Sequence, residues 1–261
     1  MKAFQNPKGS VASVLPLEQV ATRNWLEANG FGRHSIDNAL KSGQLVALTT
    51  GVYSRPELPV SWQGLVASLP RLESRPILIG GISALRLQGF AQYLNLGASE
   101  SVVLTSNSAC PAWLERSFSA LQTRLTWQSG RRLWTQGWPT RPAVRMVPWQ
   151  DRGMVLPSSA PEQAFLELLG TAPEGVGLEH AEEMLQSLTQ LSPNLLDSLL
   201  RECRSIKVKR LFFWLADRQN HVWRRRLDPS AYDLGSGNRV LAKGGRLDPV
   251  YHITVPQEML P

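Results

Sequence analysis

The chain has little cysteine, little histidine and no long apolar run, and each shortage removes a class of protein. Cys110 and Cys203 are the two cysteines in 261 residues. They are too few and too far apart for a disulfide framework or a cysteine-based zinc motif, and that usage suits a reducing cytoplasm. The longest apolar stretches, such as Leu211–Leu215, fall well short of the roughly 20 residues that span a bilayer. The first ten residues are polar and carry Pro7 and Gly9, without the apolar centre of a secretion signal. The expectation is a cytoplasmic protein with no membrane association. His34, His180, His221 and His252 are scattered. His180 and Glu183 share a helix face, which is half a metal site with no further His or Cys nearby, so no metal and no cofactor are expected. The phosphate-cradling glycine motif is also missing, since Lys243-Gly244-Gly245 has neither its order nor its Ser or Thr.

What is present is an ordinary globular composition with an uneven charge. Hydrophobic residues make up 43% of the chain, enough for a sizeable core. Residues 201–261 hold 12 Lys/Arg against 6 Asp/Glu, or +6 of the formal +7. Residues 1–60 carry +2 and residues 61–200 carry −1. A clustered basic surface points to a polyanionic partner, and the competing reading is a solvated arginine-rich face. Lys207, Lys209, Arg210, Arg224, Arg225, Arg226, Arg239, Lys243 and Arg246 are the candidates for that surface.

The first segment reads as a small helical unit ending in a hairpin. Ser10–Leu15 can form a short helix that Pro16 stops. Thr22 can cap a helix over Arg23–Asn29, because its hydroxyl accepts the orphan N–H groups of the first turn; Gly30 ends it. A second helix runs from Arg33 to Ser42 and stops at Gly43, with Ile36, Ala39 and Leu40 in one stripe. Leu45–Leu48 and Val52–Tyr53 then bracket the turn Thr49-Thr50-Gly51. Helix, tight turn, helix, hairpin is the order of a winged helix-turn-helix, and also of a small packing module.

Prolines in Ser54–Pro59 mark a linker. Beyond it the pattern predicts a helix over Trp62–Glu73, interrupted or ended near Pro70, a buried strand over Pro76–Ile79, a helix over Ile82–Gln88 and a strand over Val102–Leu104. Arg141–Pro161, with Pro139 just before it, is proline-rich and expected to hold strands and loops only. Helices follow at Glu162–Leu169, Leu178–Leu188, Asn194–Cys203 and Lys207–Gln219, then strands at Val240–Ala242 and Tyr251–Val255. Mixed elements in this order predict an α+β fold. The expected division is a winged helix-turn-helix over residues 1–57 and a mixed α/β domain over residues 58–261, with a sub-boundary near residues 155–161.

In a helix-turn-helix the second helix enters the major groove and its N-terminal half meets base edges. With Ile36 at the centre of the buried stripe, about 100° per residue places His34, Asn38 and Lys41 on the opposite face. Ser35, Asp37 and Ser42 flank it. Asn can bind adenine bidentately, and His and Ser can donate or accept. Arg33 and Lys41 suit phosphate, as do Arg23, Asn24, Thr49, Thr50 and Arg55.

Longer stretches carry a resemblance. Trp25-Leu26-Glu27, Arg33–Asn38, Lys41–Leu45 and Gly51-Val52-Tyr53 resemble the N-terminal domain of AbiEi-family antitoxins. Gly80–Leu94 is similar to that family's Gly-Gly-x-x-Ala-Leu-x-x-x-Gly pattern. Leu191–Leu200, Lys207–Ala216 and Gly244–Pro256 resemble its C-terminal part. The resemblance implies a transcriptional autorepressor and antitoxin of a type IV toxin–antitoxin system in phage defence. Its partners would be operator DNA, usually with inverted repeats, and a nucleotidyltransferase-like toxin opposed without a stable complex. The expected state is a monomer or weak dimer, cooperative on DNA. The Asp-x-Asp/Glu pair of nucleotidyltransferases is absent, which argues that this chain is not the toxin. No catalytic residues are expected. Asp233–Asn238 imitates the glycine loop of S-adenosylmethionine enzymes, but Asp228-Pro229-Ser230 stands where the preceding apolar strand is required. The alternative is a protein-interaction module or a regulator without an antitoxin role.

Overall fold

A computed structural model describes residues 10–90, 101–135, 141–149 and 153–259. Residues 1–9, residues 91–94 of the Gly-Gly stretch and Pro139 lie outside the described residues.

The N-terminal unit opens with a 3-10 turn over Val11–Val14, followed by β1 (Val20–Thr22), α1 (Arg23–Ala28), α2 (Arg33–Lys41), β2 (Val46–Thr49) and β3 (Val52–Ser54). The Thr22 hydroxyl accepts from the Trp25 N–H at 3.2 Å and so caps α1. Gly43 follows α2 at φ 71°, a left-handed conformation that glycine adopts without a Cβ penalty. Ile36 and Ala39 bury one side of α2 against Leu26, Phe31, Leu45 and Tyr53. Burying Ile36 alone contributes on the order of 1.5–3 kcal/mol. The strands form an antiparallel sheet in the order β1-β3-β2.

A mixed α/β body follows. It runs α3 (Trp62–Leu72), β4 (Leu78–Ile79), α4 (Gly81–Leu87), β5 (Ser101–Ser106), α5 (Ala112–Ala120), β6 (Arg124–Ser129), β7 (Val144–Trp149) and β8 (Met154–Ser159). Its five-stranded sheet has the order β6-β5-β4-β8-β7. β4 pairs antiparallel with β5 and parallel with β8. Four helices come next: α6 (Pro161–Thr171), α7 (Leu178–Ser187), α8 (Pro193–Glu202) and α9 (Ile206–Gln219). The described chain closes on β9 (Arg239–Val240), β10 (Arg246–Asp248) and β11 (Ile253–Val255), a small sheet in the order β10-β11-β9. The helix and sheet content is α+β. No helix among the described residues is long and apolar enough to cross a membrane.

α3 ties the N-terminal unit to the body. The Ser68 hydroxyl accepts from the Val20 N–H at 3.0 Å and donates to the Gly64 carbonyl at 2.7 Å. Arg71 donates to the Val20 carbonyl at 2.7 Å, and its guanidinium lies 4.7 Å from the Trp25 ring centroid. Val20 and Val52 accordingly belong to the main core with Leu65 and Leu69. At Gly64 the two backbones approach so closely that an added Cβ would lie 1.9 Å from the Glu18 carbonyl oxygen. Gly64→Ala must push α3 off the segment that leads into β1, at a cost of about 1–3 kcal/mol. A melting temperature lowered by several degrees is the expected result, and an unchanged melt would show that the helix can shift freely.

Candidate nucleic-acid interface

The face of α2 turned away from its apolar stripe is open to solvent. Arg33, His34, Ser35, Asn38, Lys41 and Ser42 are all exposed. The helix periodicity sorts them this way, since 3.6 residues per turn sets these positions opposite Ile36 and Ala39. Asp37 sits half-buried on the flank. Its carboxylate takes the Arg23 guanidinium at 3.2 Å and lies 3.9 Å from Arg33. Arg23 also donates to the Tyr53 hydroxyl at 3.0 Å, and these hydrogen bonds, to Tyr53 first and then Asp37, raise its pKa. Arg23 is thus a tie between α1, α2 and β3. Its N–H donates to the Gly51 carbonyl at 2.9 Å, which sets the start of α1 beside the hairpin turn.

The turn itself carries exposed Thr50 and half-buried Thr49, with Gly51 at φ 75°. Asn24 is exposed. Arg55 is half-buried and donates to Glu57 at 3.1 Å through Nε, so its charge is already engaged on the protein. The sequence-based candidates divide accordingly. His34, Ser35, Asn38, Lys41, Asn24 and Thr50 present polar groups on the surface, as do Arg33, 3.9 Å from Asp37, and Ser42, whose hydroxyl donates to the Ala39 carbonyl at 3.3 Å, while Arg23 and Arg55 are committed to protein partners.

Between this unit and the body runs a groove of about 660 Å³, lined by Arg23, Asn24, Trp25, Thr50, Trp113 and Arg116 among others. α5 packs beside β2, with Leu114 and Phe118 buried beneath it. The Trp113 Nε1–H donates to Glu73 at 2.6 Å. Arg116 is exposed. Sequence reasoning passed over α5 altogether, although the i, i+4 spacing of Leu114 and Phe118 is a helical signal.

The basic C-terminal candidates do not form one surface. Arg210 is 1% exposed and Lys209 is 5% exposed. The Arg210 guanidinium donates to the carbonyls of Leu234 at 2.6 Å, Gly237 at 2.6 Å and His252 at 3.2 Å. Lys207 donates to the Gly170 and Ala172 carbonyls at the end of α6, at 3.1 and 2.6 Å. Arg224 is held by Asp217 at 2.7 Å and lies over the Phe213 ring. The clustering of cations in this part of the sequence points to an exposed basic surface, but α9 is enclosed on nearly every side. Val208, Leu211, Phe212, Phe213, Trp214, Leu215 and Ala216 are all buried. A helix apolar all round sits inside a core and carries its cations in with it. Arg225, Arg226, Arg239, Lys243 and Arg246 remain exposed.

The Asp233–Asn238 stretch is a turn. The Asp233 carboxylate accepts from the Gly235 N–H at 2.8 Å, and the Arg210 bonds hold the loop from below. A 3-10 turn at Pro229–Ala231, rather than a strand, precedes it. His180 lies 3.4 Å from Glu183, and no group of three or more metal-binding side chains occurs among the described residues.

Comparison with known proteins covers nearly the whole chain. Residues 99–256 match the family described as "Transcriptional regulator, AbiEi antitoxin, Type IV TA system". Residues 8–96 match "Transcriptional regulator, AbiEi antitoxin N-terminal domain". No curated protein matches the chain. The crystal structure of the RV2827C protein from Mycobacterium tuberculosis aligns with a TM-score of 0.60 over 96% of this chain and 92% of that one, at 16% identity. At that identity the likeness is one of fold.

Proposed function

The chain belongs to the AbiEi antitoxin family of transcriptional regulators of type IV toxin–antitoxin systems, and on that premise we propose that its N-terminal unit is a winged helix-turn-helix that represses the promoter of its own operon. The exposed polar face of α2 carries this reading. That face is built on an apolar base, is held beside the hairpin through Arg23, and presents groups that match base edges. His34, Ser35 and Asn38 read bases in the major groove, with Asn38 suited to adenine. Arg33, Lys41, Ser42, Asn24, Thr49 and Thr50 meet phosphate or sugar and fix the register without reading sequence. Arg23 acts at one remove, by holding α1, α2 and β3 together, and Arg55 is paired with Glu57.

The operator is double-stranded DNA with inverted repeats, occupied cooperatively by copies that are monomers or weak dimers in solution. Arg225, Arg226, Arg239, Lys243 and Arg246 are the exposed cations that can add affinity for flanking backbone. As antitoxin, the protein opposes a nucleotidyltransferase-like toxin without a stable complex, as a regulator and not as an enzyme.

The double change His34→Ala with Asn38→Ala tests the reading on the DNA upstream of the gene. Without these two side chains at the base edges, about 2–3 kcal/mol of preference for that DNA over a scrambled duplex is expected to disappear. Both positions are exposed, so circular dichroism stays that of the wild type. A double variant that still prefers the upstream duplex to the same degree would remove α2 from the reading.

A further inference from the structure

We propose that the body of the protein joins the same interface: Arg116 on α5, in the groove beside the hairpin, holds a phosphate of the operator backbone. The inference rests on the DNA-binding reading above and extends it to a residue outside the N-terminal unit.

Arg116 is exposed and, among the described residues, makes no hydrogen bond or ion pair. The carboxylate that shares the groove, Glu73, is half-buried and occupied by Trp113 Nε1. Its charge remains, but the groove is lined by two cations, Arg23 and Arg116, against this one carboxylate, so the lining is net positive. Asn24 and Thr50 line the same groove, both exposed and both able to donate to phosphate oxygens.

The groove is linked to the reading helix through Arg23. Arg23 lines it, and the same guanidinium reaches Asp37 on the flank of α2 at 3.2 Å. When a recognition helix lies in the major groove, the strand backbone at its edge passes the neighbouring elements of the protein. Here those are the start of α1, the hairpin turn and α5. The placement is rigid. α5 is anchored by Leu114 and Phe118, and α3 locks the N-terminal unit to the body through Ser68 and Arg71. An arginine on such a frame needs little reordering to meet a phosphate, and its forked donors suit one.

The test measures binding of the full-length protein to its upstream duplex and to a scrambled duplex across a series of salt concentrations. Arg116→Glu is expected to weaken both by roughly tenfold and to make the salt slope shallower by about 0.9, as removal of one neutralised phosphate requires. Arg116→Lys should retain most of the affinity and the slope. If the wild type binds and Arg116→Glu matches it in affinity and slope, this inference falls while the reading helix stands. A wild type that binds neither duplex overturns both. A lower affinity at unchanged slope would also overturn the proposal, because it reports a change in fold or field with the same release of counterions.

Discussion

Arg210→Met is expected to destabilise the protein by about 3 kcal/mol. The wild-type guanidinium is buried and satisfies the carbonyls of Leu234, Gly237 and His252. Methionine fills similar space but donates nothing, so these acceptors lose their partner. A buried polar group left unsatisfied costs about 1–3 kcal/mol. The full cost for three is not expected, because Gly237 and His252 are exposed residues whose carbonyls water can partly rescue. For a chain of this size a loss of about 3 kcal/mol lowers the melting temperature by roughly 6–12 °C. Arg210→Lys should recover little, since one ammonium cannot reproduce a planar fork that spans three acceptors. A melt within about 1 °C of the wild type, paired with a shallower salt slope in DNA binding, would return Arg210 to the role of a phosphate ligand and remove it from the core.

The same residue marks where the sequence could be read and where it could not. α1 and α2 were legible because their signals are local: Thr22 caps one, Gly43 stops the other, and Ile36 with Ala39 spaces the buried side. The exposed candidates on α2 follow from that period alone. β1 was not legible. Val20–Thr22 is three residues long, too short to show alternation, and it is a strand because it pairs with β3 some thirty residues on. The Arg23 tie to Asp37 and Tyr53 is equally non-local. Pro70 read as a break or an end, yet α3 continues to Leu72. α5 and β6 carried weak patterns, so Arg116 had no element to sit on. At α9 the failure was of another kind. A basic and apolar alternation gives no means of telling a solvated face from a helix enclosed on all sides, because that depends on what the rest of the chain packs around it.

Glu167 offers the second large effect, and its sign with pH is opposite to that of an ordinary salt-bridged carboxylate. It lies on α6, wholly buried, and accepts from the Gly81 N–H at 2.9 Å, the Ser159 hydroxyl at 3.0 Å and the Gln163 amide at 2.8 Å. Burial pushes its carboxyl up from 4.5 to about 7, against the pull of these hydrogen bonds. From pH 4.5 to 7 the unfolded chain gives up this proton while the folded chain keeps it. Stability from this group is therefore full below about pH 4.5, falls as pH rises to about 7, and is level above that. The total is on the order of 3 kcal/mol. Asp197 and Asp228, whose pKa values are lowered by hydrogen bonds from Arg201 and Ser230 respectively, titrate below this window. Glu167→Gln keeps an acceptor for Gly81 N–H, and Gln163, whose Oε1 is unpaired, can turn to accept from the new amide. The urea midpoint of the wild type should fall between pH 5 and pH 7.5, and that of the variant should stay level. Equal slopes in both would place the titration elsewhere. Glu167→Ala would leave the Gly81 N–H and the Ser159 hydroxyl without their acceptor in the core and cost about 3–5 kcal/mol below pH 4.5, a cost that shrinks toward pH 7 as the wild type loses the contribution of its protonated carboxyl. The geometry also accounts for the Gly-Gly pair that begins α4. A Cβ at Gly80 would lie 2.7 Å from the Glu167 carboxylate, so the carboxylate can reach the start of α4 only past a residue with no side chain.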